Sequence, residues 1–427
     1  MISLQPDTQN HLQKLVAQSL LGARQSGNIS REAPNVSAAP IVTLVDHVIQ
    51  TALALGASDI HIEPIADHVR IRLRIDGVLS EMPPPLPMEL KDVLLARIKV
   101  MAHLDTTIHN LPQDGRITYR YQDTAVDVRV STMPVMEGEK IVLRLLGGGL
   151  RLRRTEELDL SPENLSLFQR WCHAPYGLIL HVGPVNSGKT TSLYAALHLL
   201  NVPEKNIVTI EDPVEYYLPG VNQVQVNTKA GLTFATGLRS LLRQDPDICM
   251  VGEIRDEETA EIAVRAALTG RLLFTTLHTG RAAGAVFRLL DMGIKPYFLG
   301  AALLGICAQR LVRRLCPACR EEYEIVPKSR EAVFLGEEYR PGQMAFLARG
   351  CEKCRGTGYR GRLAIHELLP FSETIQAAVT AGEKLRVIEE TAIREGMVSL
   401  RRDGIQKALA GQTTLGEIKR GLYGDGG

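Results

Sequence analysis

The chain has 427 residues, of which 45% are hydrophobic and 23% charged, and its formal net charge at neutral pH is +1. That balance describes a globular protein of two or three domains and gives no electrostatic case for a general nucleic-acid binder. No apolar run approaches membrane-spanning length, and the first residues lack the basic-then-apolar layout of a signal peptide. The expected location is therefore the cytoplasm, with docking on a membrane complex left open. In that reducing compartment, seven cysteines argue against a disulfide framework.

Residues 1–38 are polar, with Ser, Asn, Gln and Pro, and read as a weak helix followed by a flexible linker. Apolar residues then recur at helical spacing across 41–55 (Val45, Val48, Ile49, Ala52, Leu53). Residues 68–75 alternate apolar and charged, as a strand with one wet face does. A helix is expected over 88–104, alternating strands over 116–121 and 125–130, and an apolar strand over 140–146. Together these make a small α+β domain, 39–147. Gly147-Gly148-Gly149 opens a linker that runs to residue 160. From 161 the rhythm changes. Apolar strands at 178–182, 207–210, 248–251 and 272–277 alternate with helical stretches, the sign of a parallel sheet covered on both faces. This core is expected over 161–315, followed by a cysteine-rich segment at 316–354 and a mostly helical region at 355–427.

The most specific local signal is Gly183-Pro184-Val185-Asn186-Ser187-Gly188-Lys189-Thr190, which fits G-x-x-x-x-G-K-[ST]. It follows an apolar strand and opens a helix at Thr191, so a phosphate chain would rest on inward-pointing amides at a helix N-terminus. Lys189 would reach the β- and γ-phosphates of ATP, and the Thr190 hydroxyl would ligate Mg2+. A glycine-rich turn without a ligand has no need of that lysine.

Two acidic segments end predicted strands of the same sheet, at the edge where open α/β folds bind ligands. Glu253 closes Asp247-Ile248-Cys249-Met250-Val251-Gly252-Glu253 and could orient a Mg2+-bound water. Glu211-Asp212-Pro213-Val214-Glu215 places three carboxylates within five residues, which fits metal handling or general-base work. Either could instead be a solvated loop. His278, in Thr275-Thr276-Leu277-His278-Thr279, could contact the γ-phosphate or hydrogen-bond Glu253, or be structural. The pairs Cys316/Cys319 and Cys351/Cys354 fit closed tetrahedral coordination of a structural Zn2+. Cys172, Cys249 and Cys307 lie in apolar stretches and read as small hydrophobes.

With these residues in place, the chain resembles, over about residues 40–427, the GspE/PilB-type secretion ATPases of type II secretion and type IV pilus assembly. Thr209-Ile210-Glu211-Asp212-Pro213-Val214-Glu215 looks like the family's Asp box, 247–255 like its Walker B and Thr276-Leu277-His278-Thr279 like its His box. The tetracysteine motif is similar to that of the assembly and secretion branches. Ala57-Ser58-Asp59-Ile60-His61-Ile62-Glu63-Pro64, Leu111-Pro112-Gln113-Asp114-Gly115-Arg116-Ile117 and Arg129-Val130-Ser131-Thr132 resemble signatures of its amino-terminal domain.

The resemblance implies an α/β, RecA-like P-loop core with a smaller α+β (PAS-like) domain closing over the nucleotide, a zinc subdomain and a helical C-terminal region. It implies that Arg116 and Arg129, with Arg144 a third, present positive charge to the phosphates. It also implies a homo-hexamer that hydrolyses ATP and acts on an inner-membrane platform protein.

The sequence departs from the family pattern at Asn186, where glycine is usual. It departs also at Ile108-His109-Asn110, a stretch usually more charged, and at Gly280-Arg281, where Asn-Asp is usual. Only about 40 residues precede the small domain, so the extra amino-terminal domain that binds a membrane-anchored recruiter in longer members is not expected. Recruitment is then left to the short arm, another partner or the platform alone. Two other readings stand beside the motor. One is a nucleotide-binding regulatory or scaffold subunit with little turnover. The other, a DNA translocase, is disfavoured by near-neutral charge and 5% aromatic residues.

Overall fold

The computed structural model describes residues 6–25, 39–146 and 152–424. Parts of the stretches read as linkers, 26–38 and Gly147-Gly148-Gly149, lie outside them. The chain forms two compact units, one within Met1–Arg151 and Cys351–Gly356, the other within Leu152–Gly350 and Thr357–Gly427. No helix among the described residues is long and apolar enough to cross a membrane.

The first unit begins with helices α1 (Pro6–Gln25) and α2 (Ala39–Ala54). On α2, Leu44, Val45, Val48, Ile49 and Ala52 are buried and form one stripe. Helix α1 is more than the lead-in to a flexible arm that its composition suggests. Leu12 and Leu15 belong to the same core as Leu44 and Ile49, and a polar outer face masks that short apolar seam in the sequence.

Strands β1 (Ala57–Pro64), β2 (His68–Ile75), β3 (Val78–Glu81) and β4 (Leu86–Pro87) come next, then α3 (Lys91–Met101). Strands β5 (Gln113–Tyr121), β6 (Thr124–Val135) and β7 (Gly138–Leu146) complete the unit. The seven strands form one sheet in the order β3-β2-β1-β7-β6-β5, with β4 on β2. Val69, Ile71 and Leu73 of β2 enter the core, and the intervening Arg70, Arg72 and Arg74 take the other face. The expected α+β domain is present; its first strand, β1, was legible only as a motif.

The second unit carries α4 (Pro162–Cys172), β8 (Gly177–Val182), α5 (Lys189–Leu200), β9 (Ile207–Glu211), β10 (Asn222–Gln225), α6 (Phe234–Leu241), β11 (Ile248–Val251), α7 (Glu257–Leu268), β12 (Leu272–Leu277), α8 (Ala282–Asp291) and α9 (Pro296–Ala302). After these come β13 (Leu303–Leu315), β14 (Arg320–Glu324), α10 (Arg330–Leu335), β15 (Met344–Ala348) and β16 (Tyr359–Pro370). Four helices close the chain: α11 (Glu373–Thr380), α12 (Leu385–Arg394), α13 (Leu400–Leu409) and α14 (Leu415–Tyr423).

Its main sheet has the order β10-β9-β11-β12-β8-β13-β16. All neighbours are parallel except β16, which runs antiparallel to β13. Both faces are covered. Leu178, Leu180, Cys249 and Val251 join one apolar cluster, while Ile179, Ile248 and Met250 join another. That double burial is why the strands read as unbroken apolar runs. The expected core ended at 315, but the sheet continues through β16, inside the region read as helical. Leu363–Leu369 are buried on both faces, and such a run has no strand period to betray it.

One ion-pair centre organises the polar face of the first unit. Glu63 is buried, and its carboxylate accepts bonds from Arg72 at 2.7 Å, Lys140 at 2.8 Å and Arg70 at 3.0 Å. Burial pushes this carboxyl up, but the bonds from Arg72 and Lys140 outweigh it, and it falls from 4.5 to about 2. A depressed folded value means a contribution fully present above about pH 4.5 and lost as pH falls toward 2. Amide-exchange protection of β1 and β2 should therefore weaken over that window in the wild type. In Glu63→Gln the protection should start lower, by roughly 1–2 kcal/mol at neutral pH, and depend less on acid. Parallel acid profiles for the two proteins would show that Glu63 does not anchor this face.

Candidate active site

The phosphate-loop residues span the turn from β8 into α5. Gly188 precedes the helix at φ 88° and offers no side-chain cap, so the first-turn amides of Lys189, Thr190 and Thr191 have no side-chain acceptor from the capping position. Asn186 stands at φ 63°, a left-handed conformation that asparagine tolerates in place of the usual glycine. Gly183 is obligatory for a different reason: a Cβ there would lie 2.4 Å from the Gln309 carbonyl oxygen.

Lys189 is 8% exposed, and its ammonium donates to the carbonyls of Gly183 at 2.8 Å and Pro184 at 2.9 Å. Burial lowers its pKa, and the Glu253 carboxylate opposes that shift. The buried Ser187 hydroxyl has no hydrogen-bond partner. A buried cation beside an unsatisfied hydroxyl and uncapped amides suits a polyphosphate. Thr190, exposed at the start of α5, could hold the Mg2+ that accompanies one.

Glu253 lies just beyond β11. Its carboxylate takes Arg255 Nε at 2.7 Å and meets His278 Nε2 at 2.9 Å, which is the second of the two contacts open to His278. Burial pushes Glu253 up, but the bonds from Arg255 and His278 bring it below its ordinary value. Arg255 also pairs with Asp212 at 3.1 Å.

Among the described residues, the carboxylates at and beyond the end of β9 are not a group placed to hold a metal ion. Glu211 is buried, accepting from Thr209 Oγ1 at 2.6 Å, Gln223 Nε2 at 3.2 Å and the Tyr194 hydroxyl. Asp212 faces Arg255, and the Glu215 amide donates to the Tyr194 hydroxyl at 3.3 Å. Adjacent residues at a strand end point to opposite sides, so nearness in sequence does not make a chelating cluster.

Sequence reasoning passed over Tyr194, Gln223 and Gln309. The available signal was chemical: a tyrosine on the buried side of a helix needs a partner for its hydroxyl. Gln309, on β13, accepts from Ser192 at 2.7 Å, and its amide nitrogen lies 2.7 Å from where a Gly188 Cβ would stand.

In the first unit, Arg116, Arg129 and Arg144 fall on one cross-strand row. Arg116 pairs in register with Arg129, Arg129 with Arg144, and Arg144 with Asp59. Register partners share a face, so the three cations are neighbours. The buried Asp59 holds Arg144 Nε at 3.0 Å. Of the departures, His109 bonds Glu139, itself paired with the buried Lys99, and Arg281 pairs with Glu389.

The ligand atoms of Cys316, Cys319, Cys351 and Cys354 lie within 4.8 Å of one another. Among the described residues, this is the one group of three or more His, Cys, Asp or Glu side chains placed to hold a metal ion. The Cys351 and Cys354 sulfurs are 3.8 Å apart, and thiolates about 2.3 Å from a tetrahedral zinc stand about 3.8 Å from each other. The cluster is compatible with zinc. Cys172 and Cys249, by contrast, are pushed up to about 12 by burial and serve as core residues.

Residues 35–420 match the family described as Type II/IV secretion system protein. The chain belongs to that family. The type II secretion system protein E of Aeromonas hydrophila is 49% identical over 382 residues, 90% of this chain and 75% of that protein. The type IV pilus assembly ATPase PilB of Thermus thermophilus is 48% identical over 374 residues, 88% of this chain and 42% of that protein. Among solved structures, the Legionella pneumophila ATPase DotB aligns with a TM-score of 0.67 at 22% identity, covering 88% of this chain and 94% of that one. The pilus retraction motor PilT with bound ADP aligns with a TM-score of 0.58 at 25% identity, covering 88% and 95%. The protein is thus a GspE/PilB-type ATPase with a RecA-like core.

Zinc at the four cysteines predicts a clear outcome for Cys351→Ser. Metal measured by elemental analysis should fall from about one zinc per chain toward none, with a lower melting midpoint as a ligand is lost. Unchanged metal content and unchanged melting would rule the site out.

Proposed function

We propose that this chain is a hexameric motor that hydrolyses ATP to power assembly of a pilus or pseudopilus, acting on an inner-membrane platform protein from the cytoplasmic side. The observation that carries the reading is the buried Lys189 ammonium on the phosphate loop, with Glu253, bonded to His278, beyond another strand of the same sheet. A cation, a carboxylate and an imidazole at the carboxyl edge of one parallel sheet are the parts that phosphoryl transfer to water needs.

In this reading residues 183–191 bind the nucleotide. Lys189 would hold the β- and γ-phosphates, and Thr190 would hold Mg2+, which when bound draws charge from the phosphate oxygens. Glu253 would orient a water beside that Mg2+, and Glu215 would position the attacking water and take its proton. His278 reads the state of Glu253. Arg116 and Arg129, with Arg144 beside them, supply positive charge to the transferred phosphoryl group. Cys316, Cys319, Cys351 and Cys354 would hold a structural Zn2+. The relatives' names support both type II secretion and type IV pilus assembly, and an inner-membrane platform, with or without a membrane-anchored recruiter, is the partner proposed on that kinship. No nucleic acid is needed as a partner.

Steady-state phosphate release, with oligomeric mass recorded on the same samples, tests the reading. Turnover by the wild type, a loss of about 100-fold or more in Lys189→Ala and in Glu253→Gln, and a ring-sized mass are expected. Nucleotide binding by a ring that never releases phosphate would favour the scaffold subunit instead. Wild-type turnover in Lys189→Ala would remove the phosphate loop from the mechanism.

A further inference from the structure

We infer that Tyr194 and Gln223 are positioning residues that fasten the Glu215 loop to the phosphate-loop helix, so that the water-handling carboxylate moves with the phosphate cradle. The inference rests on the reading of Glu215 as the residue that positions water.

Tyr194 sits five residues after Lys189 on α5, about 7.5 Å along the helix axis. Its side chain is wholly buried, and its hydroxyl does two jobs at once. It donates to the buried Glu211 carboxylate and accepts the Glu215 amide at 3.3 Å. A hydroxyl has one proton to give and lone pairs to receive, so both bonds can be made together.

Gln223, on β10, grips the same loop from the other side. Its amide donates to the Tyr216 carbonyl at 3.2 Å and to Glu211 at 3.2 Å, and its oxygen accepts the Leu218 amide at 2.7 Å. The Tyr194 and Tyr216 rings meet edge to face at 4.4 Å. Three backbone groups of the Glu215 loop are thus held by two side chains, and both side chains converge on Glu211. Thr209 Oγ1 fills a further acceptor site of that carboxylate.

Burial, with Glu211 beside it, raises the Tyr194 pKa, so the phenol keeps its proton and stays a donor. Its contribution lies in where Glu215 stands. A misplacement of about 1 Å in a water-positioning group can cost on the order of 100-fold in rate without weakening ground-state binding. The arrangement also means that a shift of α5 on phosphate binding is passed to the Glu215 loop through one phenol.

The test compares wild type, Tyr194→Phe, Gln223→Leu and Glu215→Gln in the full-length chain. For each, ATP turnover, Mg-ATP affinity by calorimetry and melting midpoint are measured. Tyr194→Phe keeps the ring and removes only the hydroxyl. Gln223 is half exposed on the edge strand β10, so its replacement leaves the core intact. The expected result is a fall in kcat of about 10- to 100-fold in both variants, with Mg-ATP affinity within about threefold of wild type. Wild-type kcat in both variants, or a loss of affinity matching the loss of kcat, overturns the proposal. Wild-type turnover in Glu215→Gln would instead overturn the assignment of Glu215. An inactive Glu215→Gln beside fully active Tyr194→Phe and Gln223→Leu would leave that assignment standing and remove the fastening alone.

Discussion

The site is organised around a buried cation. Lys189 is set at the carboxyl edge of a parallel sheet with little access to water, and two loop carbonyls hold its ammonium. Burial disfavours that charge, and the Glu253 carboxylate counters the shift. Carbonyl oxygens share a buried charge poorly compared with an anion, so the loop is disposed to exchange them for phosphate oxygens. The placement of Glu253 and His278, the two glycines and the neighbouring β13 all bear on how this cation is presented.

Strand β13 gives the second unit its continuity. Gln309 backs the phosphate loop through Ser192 and lies against Gly188. The next residue, Arg310, donates to the Gly280 carbonyl in the segment after His278 and to the Gly421 carbonyl of α14. Arg313 then pairs with Glu417, whose carboxyl is brought down to about 2 by bonds from Arg420 and Arg313 that outweigh burial. One strand therefore touches the loop, the segment following His278 and the C-terminal helix. Its end leads directly into Cys316, the first member of the cysteine cluster.

Much of this was legible because it is local. The phosphate loop is a contiguous pattern whose conformation depends on Gly183, Asn186 and Gly188 themselves. A Glu253–His278 bond was one of the alternatives open in advance because each follows a strand of the same parallel sheet, where strand ends come together. What stayed hidden depends on partners distant in sequence. Leu12 and Leu15 gain meaning only against α2. Strand β16 is buried on both faces and carries no alternation. The Glu211, Asp212 and Glu215 segment read as metal handling or general-base work, yet Glu211 is taken by Tyr194, Thr209 and Gln223, and Asp212 by Arg255. The row of Arg116, Arg129 and Arg144 follows from strand register, which alternating patterns leave open.

The most direct test of the account is a structure determined with Mg2+ and a non-hydrolysable ATP analogue. The account predicts that the Lys189 ammonium leaves the Gly183 and Pro184 carbonyls for the phosphate oxygens. Thr190 should then sit on the metal, and the first-turn amides of α5 should face the phosphate chain. An analogue bound elsewhere, with Lys189 still on the two carbonyls, would contradict it.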